Sequence, residues 1–218
     1  GQVNAANTII SAPAATTSSV GAFTVLWTGN RLQVKNGTRV IWESVANESF
    51  VRAGTQQLDA HELRGSFTVN ENIATQCTDQ TISSFTQNGT EVVFKGRLTG
   101  NTACATNYTL TFTQPITGHL RFKLNIDNSA VNYSELAYSS TADERFHGFG
   151  EQFSVLNMKG KTVPVLSEEG GVGRGHQPIT AAVNLGSKGA AGNELTTYYA
   201  VPQYITNTNK SLFLENTD

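Results

Sequence analysis

The chain has 218 residues, of which 38% are apolar and 15% charged, and its formal net charge is −2. That length suffices for one large domain with a substantial core. With no basic stripe, no polybasic segment and no apolar run long enough to cross a bilayer, the composition argues against nucleic acid or a membrane surface as the partner.

Taken in order, the first 20 residues, with Ser11-Ala-Pro-Ala-Ala-Thr-Thr-Ser-Ser19, read as an extended leader, and residues 21–218 as one domain. A strand is expected over 23–27. Asn36-Gly37 lies between β-prone runs at 32–34 and 40–42, and Asn88-Gly89 between runs at 82–85 and 92–94. Each pair marks a hairpin, because Asn-Gly accepts positive φ at both turn positions. Residues 58–63 offer a turn or two of helix, and 67–69 a strand. Tyr108, Leu110 and Phe112 alternate with polar residues, as do Leu120, Phe122, Leu124 and Ile126 over 119–127. This is the period of a half-buried strand, and Pro115-Ile-Thr-Gly118 supplies the turn between the two runs. With further strands at 133–138, 198–204 and 212–214, the pattern is all-β: an antiparallel sandwich of two sheets with few or no helices.

Between 153 and 197 the alternation lapses, and a connection that long is functional or docks against something. The end, Ser211-Leu-Phe-Leu-Glu-Asn-Thr-Asp218, falls on or just past a β-prone run. It is what one piece of a longer polypeptide would show.

The two cysteines, Cys77 and Cys104, sit in polar, turn-like surroundings, which favours a disulfide over buried thiols. The closed loop would be worth about 3–4 kcal/mol. Six Asn-x-Ser/Thr sequons occur, at Asn36, Asn47, Asn88, Asn107, Asn132 and Asn209. A secreted, glycosylated protein accounts for both observations. A metal site is not expected, since there is no Cys-x-x-Cys and the four histidines are scattered.

The segment 144–175 concentrates acids, glycines and an arginine. Its Gly170-Gly171-Val172-Gly173-Arg174-Gly175 cluster matches neither phosphate-loop pattern, and reads as a tight irregular loop rather than a cofactor site. Glu151, Glu168 and Glu169 are the local carboxylates, but neighbours such as Glu168 and Glu169 point apart in extended chain and make no facing catalytic pair. His147 and His176 read as structural, Trp27 and Trp42 as core, and no Gly-x-Ser-x-Gly elbow is present.

Gly148-Phe-Gly-Glu-Gln-Phe-Ser154, Lys159-Gly-Lys161, Pro164 and Glu168-Glu-Gly-Gly-Val-Gly-Arg-Gly175 together resemble the amino-terminal domain of glycoside hydrolase family 31, and within it the sulfoquinovosidase-like branch. Tyr199-Ala-Val-Pro-Gln-Tyr204 and Leu212-Phe-Leu-Glu-Asn216 are similar to that domain's last strands. Glu169-Gly170-Gly171 stands where the branch has Glu-Gln-Gly. The resemblance implies a galactose-mutarotase-like β-sandwich ahead of a (β/α)8 barrel, in an enzyme that cleaves α-glycosides with retention. Two aspartates of the barrel would act, so no catalytic residue is expected in this chain. The loop 148–197 would reach the rim of the barrel's pocket, with Arg174 and Gln152 as polar contacts and Glu151, Glu169 and Gly173 beside them. The implied partners are a carbohydrate substrate and a carboxyl-terminal catalytic chain of the same enzyme, processed apart yet associated; no cofactor is implied. Two other readings stand beside this one. A free-standing carbohydrate-binding or adhesive sandwich would bind sugar without catalysis, and an α-glucosyltransferase of the same family would transfer rather than hydrolyse.

Overall fold

A computed structural model describes residues 7–63, 65–100, 104–152, 154–169, 177–187, 189 and 191–216. The first elements are β1 (Ile9–Ser11), β2 (Thr16–Val20), β3 (Phe23–Trp27), β4 (Leu32–Asn36) and β5 (Arg39–Glu43). A long pair follows, β6 (Val51–Leu63) and β7 (Ser66–Cys77), and then β8 (Asp79–Asn88), β9 (Glu91–Thr99), β10 (Ala105–Ile116), β11 (His119–Ile126) and β12 (Tyr133–Leu136). The last are β13 (Phe146–Gly150), the helix α1 (Pro178–Ser187), β14 (Ala200–Thr206) and β15 (Ser211–Phe213). The fold is the expected all-β sandwich type, with one short helix among the described residues. It divides into two compact units, Gly1–Gln57 with Asn72–Ser139, and Leu58–Glu71 with Ser140–Asp218.

The first unit holds a four-stranded sheet in the order β2-β3-β4-β5 and a five-stranded sheet in the order β1-β8-β9-β10-β11. Alternation in sequence becomes alternation of faces: Phe23, Val25 and Trp27 of β3 go inward, as do Val92, Phe94 and Leu98 of β9 and Tyr108, Leu110 and Phe112 of β10. Phe94 is at the centre, stacked on Phe85 at 4.3 Å and edge-on to Phe50 and Phe112, both at 6.2 Å. Each such side chain, fully buried, contributes about 1.5–3 kcal/mol. The largest polar side chain buried in this unit, among the described residues, belongs to Gln80. Gln80, fully buried, accepts from the backbone N of Phe50 at 2.9 Å and donates to the Tyr108 hydroxyl at 2.7 Å. Burial pushes the Tyr108 phenol well above its ordinary value, against the opposing pull of the Gln80 hydrogen bond.

Several expectations change in detail. Part of the segment read as a leader is strand: β1 lies parallel to β8, β2 pairs with β3 from Thr16↔Trp27 to Val20↔Phe23, and Val20 is fully buried. Backbone pairing and the Trp27 indole, which donates to Pro13 O at 3.0 Å, order a run whose β-formers, Ile9, Ile10 and Val20, are set apart by Ser, Thr, Ala and Pro without alternation. Residues 58–63 continue β6 rather than forming a helical turn, because pairing with β7 through the Gly65 turn overrides the local preference. Both Asn-Gly hairpins form, but the paired residues are Asn36↔Arg39 and Asn88↔Glu91, so the turn pair is Gly-Thr in each. Gly37 and Gly89, both at φ 60°, take the positive value, while their threonine neighbours do not, which is the pattern with glycine first. The disulfide Cys77–Cys104 is present, with Cα atoms 5.4 Å apart, and it lies buried against the core rather than in a polar turn.

In the second unit β13, β14 and β15 form an antiparallel sheet. α1 opens on Pro178, whose fixed φ and missing N–H suit a first helical position, and Thr180 is its one buried residue. Asn184 fastens its end, accepting from Ala191 N at 2.9 Å and donating to Gly192 O at 3.1 Å.

Candidate functional site

The motif Gly148-Phe149-Gly150 is a backbone device. All three residues have positive φ, at 134°, 64° and 102°. Pairing runs Phe146↔Thr206, His147↔Ile205 and Gly148↔Tyr204, then jumps to Gly150↔Ala200, so Phe149 alone faces three residues of β14. A Cβ at Gly148 would lie 2.5 Å from Gln203 O, and one at Gly150 would lie 1.9 Å from Tyr199 O. Glycine is therefore required twice over, for φ and for the approach of the neighbouring backbone. Phe149 has no such freedom, and a non-glycine residue held there costs about 1–2 kcal/mol. Its ring packs on Tyr204 at 5.7 Å, which also takes Phe146 at 5.2 Å.

The bulge delivers Glu151 and Gln152. The Glu151 backbone N donates to Tyr199 O at 2.9 Å, leaving its carboxylate exposed. Gln152 donates to Phe149 O at 3.5 Å, while its Oε1 is buried with no hydrogen-bond partner among the described residues.

Thr197, fully buried, joins the two stretches of the motif. Its hydroxyl donates to Glu151 O at 2.6 Å, and its carbonyl accepts from Glu168 N at 2.9 Å. Ser167 lies beside Thr197 in a parallel bridge, and its hydroxyl accepts from Ala200 N at 2.9 Å. The β6–β7 turn holds the other side. Phe67 N donates to Glu168 Oε2 at 2.8 Å, Glu169 N donates to Gly65 O at 2.8 Å, and the Ser66 hydroxyl donates to Glu169 O. Glu168 thus spends its carboxylate on backbone, whereas Glu151 and Glu169 leave theirs exposed. Of the expected rim residues, Gln152, Glu151 and Glu169 fall on this linked frame; Arg174 and Gly173, like His176, lie outside the described residues. Thr197, Ser66 and the β6–β7 turn were not foreseen, since a single hydroxyl in a loop leaves no periodic trace.

Beneath β13, Glu144 is 2% exposed, accepting from the Thr208 hydroxyl at 2.8 Å and lying 3.1 Å from Lys210 Nζ. Burial pushes its carboxyl up, but the hydrogen bonds from Thr208 and Lys210 and the lysine's charge outweigh that, and the group stays below the ordinary carboxylate range. His147 Nδ1 meets Leu156 O at 2.7 Å, a structural role as read from the sequence. Trp27 is fully buried, and Trp42 packs on Phe50 and Tyr138. Among the described residues no group of three His, Cys, Asp or Glu is placed to hold a metal ion. All six sequon asparagines are exposed.

No family model matches the chain. The sulfoquinovosidase of Escherichia coli (strain K12) is 29% identical over 89 residues, covering 41% of this chain and 13% of that protein. A GH31 family sulfoquinovosidase from E. rectale, solved in complex with the aza-sugar inhibitor IFGSQ, has the same fold, with a TM-score of 0.68 at 20% identity over 88% of this chain and 27% of that one. Part of the chain is thus similar in sequence to one sulfoquinovosidase, and its fold is that of a GH31 family sulfoquinovosidase. The chain spans less than a third of the length of either sulfoquinovosidase.

Proposed function

We propose that the chain is the amino-terminal portion of a secreted, retaining α-glycoside hydrolase of this kind, with its catalytic aspartates on a following (β/α)8 barrel. The substrate is an α-glycoside of the glucose series, sulfoquinovosides included, as the relatives' names suggest. The observation that carries the reading is that 88% of this chain is accounted for by 27% of a GH31 sulfoquinovosidase. A part of that size has the dimensions of one domain of an enzyme. In this reading the frame built by Gly148–Gly150, Thr197 and the β6–β7 turn offers the exposed Glu151 to the sugar, with Gln152 holding the chain beside it. The catalytic portion is its partner, either in the same polypeptide or as a processed chain held to it. A buried disulfide and six exposed sequons support an extracellular setting.

The test compares residues 1–218 with a polypeptide that also carries the barrel, on 4-nitrophenyl α-D-glucopyranoside and 4-nitrophenyl α-sulfoquinovoside. The longer protein should hydrolyse one of them with retention, read by NMR of the first anomer released, and residues 1–218 alone should be inactive. Hydrolysis by residues 1–218 alone, or inversion by the longer protein, would sink the proposal.

A further inference from the structure

The five-stranded sheet of the first unit turns one face to the core, and strand register fixes what the other face carries. On β10, Tyr108, Leu110 and Phe112 point inward, so Asn107, Thr109, Thr111 and Thr113 point out. On one side Asn107 pairs with Arg97 and Thr109 with Lys95. On the other Thr111 pairs with Lys123 and Thr113 with Arg121. Lys95, Arg97, Arg121 and Lys123 are all exposed, and Arg97 Nη1 donates to Asn107 Oδ1 at 3.1 Å. Of the acids on this face, Asp79 and Glu91 sit at the two ends of the β8–β9 pairing, and Asp127, whose backbone N donates to Asn107 O at 2.9 Å just past β11, closes the Arg97 row; the rows of Lys95, Lys123 and Arg121 carry none. Two strand spacings separate β9 from β11, so the cations flank a Thr/Asn row about 10 Å wide. In sequence these four cations alternate with apolar side chains or with glycine and form no stripe; pairing collects them on one surface.

We propose that this face binds an acidic polysaccharide. Carboxylate or sulfate groups set against the flanking cations gain charge-assisted hydrogen bonds, bidentate where arginine is the donor. The sugar's hydroxyls meet the threonine and asparagine row, which both donates and accepts. The row offers no aromatic ring on which a nucleobase could stack, the anchor of single-stranded nucleic-acid surfaces. The site is separate from the family-31 reading and stands or falls without it.

Affinity electrophoresis tests it, using the protein made without N-glycans, because Asn107 is itself a sequon on this row. Polygalacturonate in the gel should retard the protein, neutral pullulan should not, and added NaCl should release it. The variant K95Q/R97Q/R121Q/K123Q should bind about tenfold more weakly or worse, while K35Q/R39Q, on the other sheet, should be retarded in full. Were the fourfold variant to misfold, R97Q and K123Q singly should each reduce retardation. The proposal is overturned by a wild type that polygalacturonate does not retard at low salt. It is equally overturned by full retardation of a folded fourfold variant or of both single variants, or by oligo(dT) displacing the protein at lower concentration than polygalacturonate does.

Discussion

In the first unit, Trp27, Phe50, Phe94, Tyr108 and their neighbours form one continuous core, each nearly or wholly out of water. In the second, Met158, Ala191 and Tyr204 are the buried apolar residues among those described, while Leu156, Ile179, Leu185, Tyr199 and Phe213 are all more than half exposed. What orders the second unit is polar: the Thr197 hydroxyl, the Glu144–Lys210 pair, the Asn184 amide and the Ser66 hydroxyl. One unit thus rests on burial and tolerates polar change at its surface, and the other rests on a few hydrogen-bonding hubs.

The contrast can be broken most severely in the core. Phe94→Ala should cost about 3–5 kcal/mol in urea unfolding, as large-to-small changes in a packed core do; a loss below about 1 kcal/mol would mean the core is looser than described. Gly150→Ala comes next, at about 2–3 kcal/mol, since it adds a Cβ against Tyr199 O at a positive φ. Hydrogen exchange should locate its damage in β13 and β14, leaving β8 to β11 protected. Glu144→Gln should cost about 1–3 kcal/mol. Because the folded-state pKa of Glu144 is depressed, its contribution is complete above the ordinary carboxylate value and is lost as pH falls through the lower folded value. Wild-type stability should therefore drop across that acid window, and the Gln variant should drop less; parallel curves would show that the pair contributes nothing. The smallest effect belongs to Leu185→Ser, at 91% exposure, which should stay within about 0.5 kcal/mol of wild type.

The same division governs what was legible in the sequence. β3 and β11 could be read with nearly their full extent, because a face buried on one side imposes alternation. The Asn-Gly hairpins were placed correctly, yet the turn sits one residue later, since the positive φ is needed once and glycine supplies it. β2, rich in Ser and Thr, is ordered by pairing with the better-marked β3, while the Ile9-Ile10 pair of β1 is too short a run to stand out by itself. α1 exposes nearly its whole surface and so writes no apolar stripe into the sequence. At the candidate site, Gly148 and Gly150 were visible as an unusual cluster, and Gln152 through the family resemblance. Thr197 was invisible, because its role depends on where three distant stretches of chain meet.

The Cys77–Cys104 bridge spans the base of the β8–β9 hairpin, and the Gly89-Thr90 tip of that hairpin is exposed. A protease that cuts this tip therefore divides the backbone without dividing the molecule. Two fragments should separate on a reducing gel, and a single species of unchanged mobility should run on a non-reducing one. Covalent continuity here follows the sulfur bridge as much as the peptide chain.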